Sequence, residues 1–416
     1  MKQKTLILLC DNYPLSAREF FIDDEMRVIA PQFEKVVIYT ASTDTGESLN
    51  RFVPDNAAVV PFSAQKLEAG KLKSVFRIFK PMFLRELAFA FRKLPVRYWV
   101  SAFKIMYVDI HRATNLKNDL LRLCADSHIN LNDSVFYSYW HDYKALALAM
   151  LRCEHGCICV ARAHRWDVFA DKNQIPYLPF KRFILSNLSK TISISKAGKE
   201  YFESYVGKAV AGSVIVSRLG KFNSRRPILE KHTTDYIICS CSNINPMKRV
   251  HLIVEILSKM QTRNIKWIHF GEGYKESKEL IYKTIQSLYP TLDYELKGMV
   301  SNEKILDYYS KNYVDLFINV SDNEGIPVSI MEAMSAGIPV VATNVGGTSE
   351  IVNKKNGYLI DVDFDANNVA EIIDNHLKLS QKEQESFRTE SYNSWKNNYD
   401  AESKYSNFSE ILLKLK

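Results

Sequence analysis

Two doubly wound α/β domains, each a mostly parallel sheet wrapped in helices and facing the other across a cleft, are the fold class this sequence predicts. Three observations lead there. The chain has 416 residues, too many for one compact core and about right for two. Short apolar, β-branched runs alternate with segments of helical spacing, the pattern of a parallel sheet buried on both faces. The alternation occurs in two series, separated by residues 218–235, RLGKFNSRRPILEKHTTD, which are polar, basic and aperiodic and read as an interdomain linker.

The first series places strands at 5–10, 36–40, 134–139, 157–161, 191–195 and 214–216, with a helical segment at 17–33. Residues 67–126 are helical throughout and break the rhythm. The second series places strands at 236–240, 266–270, 293–297, 314–320, 338–343 and 357–360, and 381–416 is a helical tail. The expected domains are therefore 1–217 and 236–380, with the linker between them and the tail after.

Composition narrows the function classes. Apolar residues are 46% and charged residues 25% of the chain, ordinary for globular protein. No run approaches the ~20 apolar residues of a membrane span. The start, MKQKTLILLCD, has too short an apolar core for a signal peptide, so a cytoplasmic location is expected. Seven cysteines do not make a disulfide framework. Cys153, His155, Cys157 and Cys159 cluster like metal ligands, but the last two lie in an apolar strand-like run and read better as small buried hydrophobes. The net charge of +8 comes without a nucleic-acid recognition motif. It is concentrated between Lys66 and Lys104, where ten basic residues face two acidic ones among eight interleaved aromatics. That stretch reads in two ways. Phe76, Phe79, Lys80 and Phe83 at helical spacing would suit an interfacial helix on an anionic membrane, or the aromatics are core and the charges a solvated face.

Residues 319–352, NVSDNEGIPVSIMEAMSAGIPVVATNVGGTSEIV, carry the densest chemistry. Pro327 suits the first turn of a helix and Gly337 the left-handed residue just past its end, so a helix is expected over 327–336. With the dipole, the amides of Val328 and Ser329 would form an anion site fit for a phosphate at the carboxyl end of the preceding strand. Glu324 lies in the loop and Glu332 one turn inside the helix. An ionised carboxylate only accepts hydrogen bonds, and a ribose offers two adjacent hydroxyl donors, so Glu332 beside a phosphate site suits a nucleotide. Taken alone, both glutamates also read as solvated side chains of an ordinary α/β unit.

The whole string goes further. Glu324, Gly325, Pro327, Glu332, Ala333, Gly337, Pro339, Val340, Ala342, Thr343, Gly346, Gly347 and Glu350 resemble, position by position, the signature of glycosyltransferase family 4, retaining enzymes of the GT-B fold. The resemblance implies that Glu324 approaches the transferred sugar and Glu332 the donor ribose. It places Gly325, Ile326 and Pro327, with Val328 and Ser329, against the donor. It also implies that no metal or other cofactor takes part, and that the tail crosses back to the first domain.

Four further segments fall where the family keeps functional loops. Residues 242–251, SNINPMKRVH, occupy the place of an arginine and a lysine that grip the diphosphate. Lys248 fits the lysine, and cations otherwise avoid the positive end of a helix. Asn243 stands at the arginine's position and offers neither charge nor fork. Either Arg249 substitutes, or the leaving diphosphate is held with one cation fewer. Gly271 and Gly273 after one strand, and Gly298 with Met299 after the next, are tight turns in their own right and nucleobase-pocket loops by resemblance. Residues 160–167, VARAHRWD, resemble a segment whose histidine and aspartate lie near the reacting sugar, matched here by His164 and Asp167, although Arg165 replaces a frequent glycine. Residues 12–21, NYPLSAREFF, replace a glycine-rich loop and are closer to the branch that builds bacterial surface polysaccharides such as capsule and exopolysaccharide, which puts Tyr13, Pro14 and Glu19 on the acceptor side.

The resemblance thus implies transfer of a sugar from a UDP- or GDP-linked donor to a glycan or lipid-linked acceptor. Two rivals remain at this point. A glycoside hydrolase could use Glu324 and Glu332 as acid and base, but leaves the phosphate-binding helix start and Lys248 unused. A catalytically silent GT-B scaffold for a partner synthase would explain Asn243.

Overall fold

The computed structural model describes residues 5–16, 19–41, 51–62, 81–232 and 234–415. The chain divides into two compact units, Met1–Gly220 with Ala401–Lys416, and Lys221–Asp400.

In the first unit β1 (Thr5–Cys10), β2 (Lys35–Thr40), β3 (Ala57–Pro61), β4 (Ser134–Ser138), β5 (Ile158–Ala163), β6 (Lys190–Ser193) and β7 (Val214–Val216) pair in parallel, in the order β3-β2-β1-β4-β5-β6-β7. Every residue of β1, β4 and β5 is buried, as the unbroken apolar runs require of a sheet covered on both faces. One face packs Ile7, Leu9, Phe136 and Ala161 against Met106, Ile110, Leu148 and Leu151. In the second unit β8 (Tyr236–Cys241), β9 (Ile265–Phe270), β10 (Asp293–Leu296), β11 (Leu316–Asn319), β12 (Val340–Thr343) and β13 (Gly357–Ile360) are also parallel, in the order β10-β9-β8-β11-β12-β13. Here Trp267, Ile238, Leu316 and Val341 meet Ile253, Leu257 and Ile285. Each sheet reverses its winding once, between β1 and β4 and between β8 and β11. At such a switch the loops leaving the two strands diverge, and a crevice opens over their carboxyl ends.

The sequence series are recognisable in these elements, with differences that have physical causes. Residues 221–232 are irregular and are fastened to the second unit: Arg225 Nε donates to Asp307 Oδ1 at 2.8 Å, and Lys231 Nζ to Asp315 Oδ1 at 2.7 Å. The tail is divided. Its helix Gln381–Asn398 belongs to the second unit, where Arg388 donates to the carbonyls of Ile228 and Val314. Its helix Ala401–Lys414 belongs to the first, lying against α1 (Phe21–Ile29). There Phe408 lies 4.4 Å beneath the Arg162 guanidinium, and Tyr405 donates to the Gly220 carbonyl.

The portion of the basic stretch before Pro81, with Phe76, Phe79 and Lys80, lies outside the described residues. The remainder forms α2 (Pro81–Lys93) and α3 (Trp99–Asp126). Phe83 is 1% exposed and packs on Phe180, so the expected interfacial face does not include it. The apolar residues α2 and α3 turn outward are Leu84, Phe91, Val96, Val100 and Phe103, the third from the turn between them. Among the described residues no helix is long and apolar enough to cross a membrane, and no group of three or more His, Cys, Asp or Glu could hold a metal.

Candidate active site

At the switch point of the second unit, β8 runs into the loop carrying Asn243 and Lys248, and β11 into the loop carrying Glu324. The Asn245 side chain caps the turn Pro246–Lys248 by accepting the Lys248 amide at 3.1 Å. The Asp322 amide donates to the Met247 carbonyl at 3.0 Å and joins the two loops. The result is an ion pair, with Lys248 Nζ 2.5 Å from Glu324 Oε1, and the same oxygen takes a longer bond from Asn319 Nδ2 at 3.3 Å. Arg249, left-handed at φ +49°, donates to the carbonyls of Val320 and Val362, each at 2.8 Å. Two of its guanidinium nitrogens thus hold strand ends together, and Nη2 is buried without a hydrogen-bond partner among the described residues. Asn243 is exposed on the loop surface.

The helix after Glu324 spans Val328–Ser335 with Pro327 as its cap residue, one residue shorter at each end than the 327–336 read from the sequence. No side chain caps it, and Val328 and Ser329 are half-exposed while Gly325, Ile326 and Pro327 are buried. First-turn amides without a capping side chain form an anion site. Behind it, Gly346 at φ +55° comes so close that a Cβ there would lie 1.8 Å from the Glu324 carbonyl, and the Gly347 amide donates to Gly325 O at 2.7 Å. Glu332 is 3% exposed. Its Oε1 accepts from Asn302 Nδ2 and lies 3.5 Å from Lys221 Nζ. Gly271, Gly273 and Gly298 serve loop-on-loop packing: the Gly271 amide donates to Gly298 O at 2.9 Å, and a Cβ on Gly273 would lie 2.0 Å from Ile244 O. Met299 beside them is 82% exposed.

In the first unit the loops after β1, β4 and β5 meet around His164. Asp167 is fully buried, and its two oxygens accept the amides of His141 and His164, each at 2.7 Å. Burial raises its pKa, while Lys181 and the two amides oppose the rise. Its work is to hold two loop backbones. Glu19, at φ +59°, does the same for the β1 loop: it accepts the amides of Asp11, Asn12 and Tyr13 and the indole N–H of Trp140. Tyr13 is buried, donates to Phe52 O and precedes Pro14 through a cis peptide bond. His164 is packed among Tyr139, Trp140 and Phe21, and desolvation, with the Arg162 cation second, drives its pKa well below the usual histidine value. That direction favours the uncharged imidazole.

The chain's similarities to known proteins centre on the second unit. Residues 221–394 match the family model of glycosyl transferases, group 1. The O-antigen biosynthesis glycosyltransferase WbnH of Escherichia coli is 24% identical over 162 residues, 38% of this chain and 44% of that protein. The putative colanic acid biosynthesis glycosyltransferase WcaL of Escherichia coli K12 is 29% identical over 158 residues, 35% of this chain and 38% of that protein. The chain thus spans less than half the length of either relative. The solved structure of Anabaena Alr3699/HepE in complex with UDP and glucose superposes with a TM-score of 0.66, covering 98% of this chain and 99% of that one at 13% identity, a likeness of fold.

Within the second unit the structure adds residues the sequence did not single out. Asn302 at the start of its helix and Lys221 after Gly220 both address Glu332, and Asn319 at the end of β11 addresses Glu324. Asn302 and Lys221 belong to no motif and lie far from Glu332 in the chain, and Asn319 opens the 319–352 string without being part of the matched signature. In the first unit the additions are aromatic: Trp140 and Trp166 beside His164, with ring centroids 5.7 Å apart.

Proposed function

We propose that this chain is a retaining, metal-independent glycosyltransferase of family 4 that moves a sugar from a nucleoside diphosphate donor to a glycan or lipid-linked glycan acceptor in bacterial surface polysaccharide synthesis. The observation that carries the reading is the pairing of Lys248 with Glu324 at 2.5 Å on two loops at the β8/β11 switch, followed directly by a helix start that no side chain caps. A diphosphate leaving group gathers charge as the glycosidic bond breaks, and helix amides plus a lysine are the preorganised donors that stabilise it. On binding, Lys248 would pass from Glu324 to the diphosphate, which frees Glu324 to orient the sugar. Glu332 would accept the ribose hydroxyls, with Asn302 and Lys221 positioning it. His164 is the first unit's candidate for contact with the reacting sugar.

The relatives' names, O-antigen and colanic acid synthesis, favour a surface glycan as product, and HepE's UDP favours a uridine donor. Glycoside hydrolysis needs one carboxyl as a proton donor, whereas each of these two is ion-paired to a lysine. The silent-scaffold reading keeps one supporting observation, the exposed Asn243 at the position of the family's arginine. We also propose that α2 and α3 rest on an anionic membrane at the cytoplasmic face. Between Leu84 and Lys104 the exposed charges are Arg85, Arg92, Lys93, Arg97 and Lys104, and the acid among them, Glu86, is buried against Tyr177. Cations ringing exposed apolar side chains suit an interfacial helix pair. A thermal-shift screen against UDP, GDP, ADP and CDP, followed by assay of transfer from the matching nucleotide-sugars, tests the function. Stabilisation by UDP without transfer would favour the scaffold.

A further inference from the structure

Lys221, Asn223 and Arg225, alternate residues at the start of the aperiodic segment 221–232, converge on the surroundings of one carboxylate, Glu332. Lys221 Nζ lies 3.5 Å from Glu332 Oε1. Asn223 Nδ2 donates to Ser335 O at 3.1 Å and to Ser335 Oγ at 2.8 Å, and that hydroxyl donates in turn to the Glu332 carbonyl at 2.7 Å. Arg225 Nε reaches Asp307 Oδ1 at 2.8 Å on the helix Asn302–Lys311, whose first residue, Asn302, donates to Glu332 Oε1. Pro227 packs just past the end of the Val328–Ser335 helix, where a Cβ on Gly337 would lie 2.9 Å from the proline's own. The Lys221 amide anchors the start of the segment by donating to the Tyr399 carbonyl at 2.8 Å. The segment is a strap that ties the helix carrying Glu332 to the helix carrying Asn302.

Asn302 and Lys221 do different work at Oε1. The Asn302 amide gives direction and no net charge. The Lys221 ammonium at 3.5 Å is beyond the range of a good N–H···O bond and acts as a point charge. Both members of the pair are buried, Glu332 at 3% and Lys221 at 7% exposure, so solvent and salt screen the attraction little. Burial works against an ionised carboxylate unless a cation stands beside it. The ionised form only accepts, and it takes hydroxyl hydrogens in short, strong bonds. A Glu332 that lost its cation or turned away would no longer tell a ribose from a sugar without hydroxyls.

We propose that the strap is the specificity element of the donor site: Lys221 and Asn223 keep Glu332 aimed as an acceptor, so that the site takes ribose in preference to sugars that lack its hydroxyls. The proposal rests on the reading of Glu332 as the ribose acceptor. It adds Lys221 and Asn223 as positioning residues that act through that carboxylate and its helix. A strap that merely fixed the fold would weaken every nucleotide alike when cut, and a lysine that met the diphosphate would do the same.

Calorimetric titration of the full chain with UDP, GDP, ADP and CDP, each against its 2′,3′-dideoxy form, tests this. The native chain should prefer the ribonucleotide by about tenfold or more, the share of a hydrogen bond to a charged acceptor. Lys221→Met keeps the bulk of the side chain and removes the charge. It should weaken the ribonucleotide and leave the dideoxynucleotide nearly as it was, so that the preference falls below about threefold. Lys221→Arg should restore most of the preference, and Asn223→Ala should lower it by about twofold or more, less than Lys221→Met does. In a Glu332→Gln background, Lys221→Met should leave the remaining preference unchanged, because the lysine acts only through that carboxylate. Urea unfolding of each variant separates loss of fold from loss of preference, and if Lys221→Met does not fold, Asn223→Ala decides the comparison. An equal loss for both nucleotides, an undiminished preference, or a further loss in the Glu332→Gln background would overturn the proposal and leave the donor site standing. A native chain that bound both forms equally would remove Glu332 from the ribose, and the role of the strap with it. Failure to bind any of these nucleotides would overturn the glycosyltransferase reading itself.

Discussion

The two units share a parallel-sheet plan and a switch point, but their strand-end sites are made of different material. In the second unit the site is largely backbone: loop carbonyls and amides brought together where glycines permit it, the first turn of a helix, and four charged side chains in two pairs, Lys248 with Glu324 and Lys221 with Glu332. In the first unit it is side chains, contributed by β1, β4 and β5 loops and held by carboxylates that accept backbone amides. A backbone site is rigid because its elements are rigid. A side-chain site is only as firm as the buried polar network beneath it. Substitutions should therefore damage the two units differently, through stability in the first and through ligand chemistry in the second.

The largest expected effect is on the first unit's stability. Arg162 donates to Tyr137 Oη at 2.7 Å, lies 3.2 Å from Glu25 Oε1 and covers Phe408 of the final helix. Arg162→Ala would leave Glu25 buried without its cation and should cost about 3–5 kcal/mol. Urea unfolding measures this, and a loss below ~1 kcal/mol would mean that the final helix is held by apolar packing alone. Next comes Lys248. Lys248→Ala should lower turnover by about 10²-fold or more with little change in unfolding free energy. In a double-mutant cycle, adding Glu324→Ala should cost much less than it does alone, because the two form one pair.

The third effect is a pH dependence. His164 has a folded pKa well below its ordinary value of 6.5, chiefly through burial. Below about pH 6.5 the unfolded chain takes up a proton at this position and the folded chain does not, so stability is lost as pH falls. His164→Phe removes that loss. Its unfolding free energy relative to the native chain should shift in its favour by up to about 1.4 kcal/mol per pH unit from 6.5 downward, read from urea midpoints at several pH values. A difference that stays constant across that range would mean that the imidazole is protonated in the fold. The smallest effect per residue belongs to the basic hairpin: charge reversal at Arg92 and Arg97 should weaken sedimentation with anionic liposomes by on the order of 1 kcal/mol per cation, less at high salt. Unaltered sedimentation would return α2 and α3 to the reading of a solvated face.

The same contrast explains what could be read in advance. Where chemistry depends on the backbone, sequence must supply Gly, Pro and spacing, and the string from Glu324 to Gly347 does so; the strands at 5–10, 214–216 and 357–360 fall where their apolar runs placed them. Where it depends on side-chain direction, the residue type is visible and its target is not. Asp167 and Glu19 read as ligand-facing acids, and both are occupied by amides. The alternation of aromatics and cations in α2 did not reveal that Phe83 turns inward, since a helix packed on one side carries apolar residues on both. Strand β3 went unread because an edge strand of half-exposed alanines and valines has no distinctive period. Residues 221–232 are aperiodic because ion pairs with Asp307 and Asp315, not a helix or strand ladder, hold them.

The central claim is that the second unit holds a nucleoside diphosphate with its phosphates at the start of the Val328–Ser335 helix and its ribose on Glu332. Calorimetric titration of UDP into the native chain, Glu332→Ala and Glu324→Ala tests it most directly. Glu332→Ala should bind more weakly by about 1–3 kcal/mol, the scale of hydrogen bonds to a charged group, and Glu324→Ala should bind UDP as the native chain does while losing turnover. Equal UDP affinity in the native chain and in Glu332→Ala, or no binding by the native chain of UDP, GDP, ADP or CDP, would contradict it.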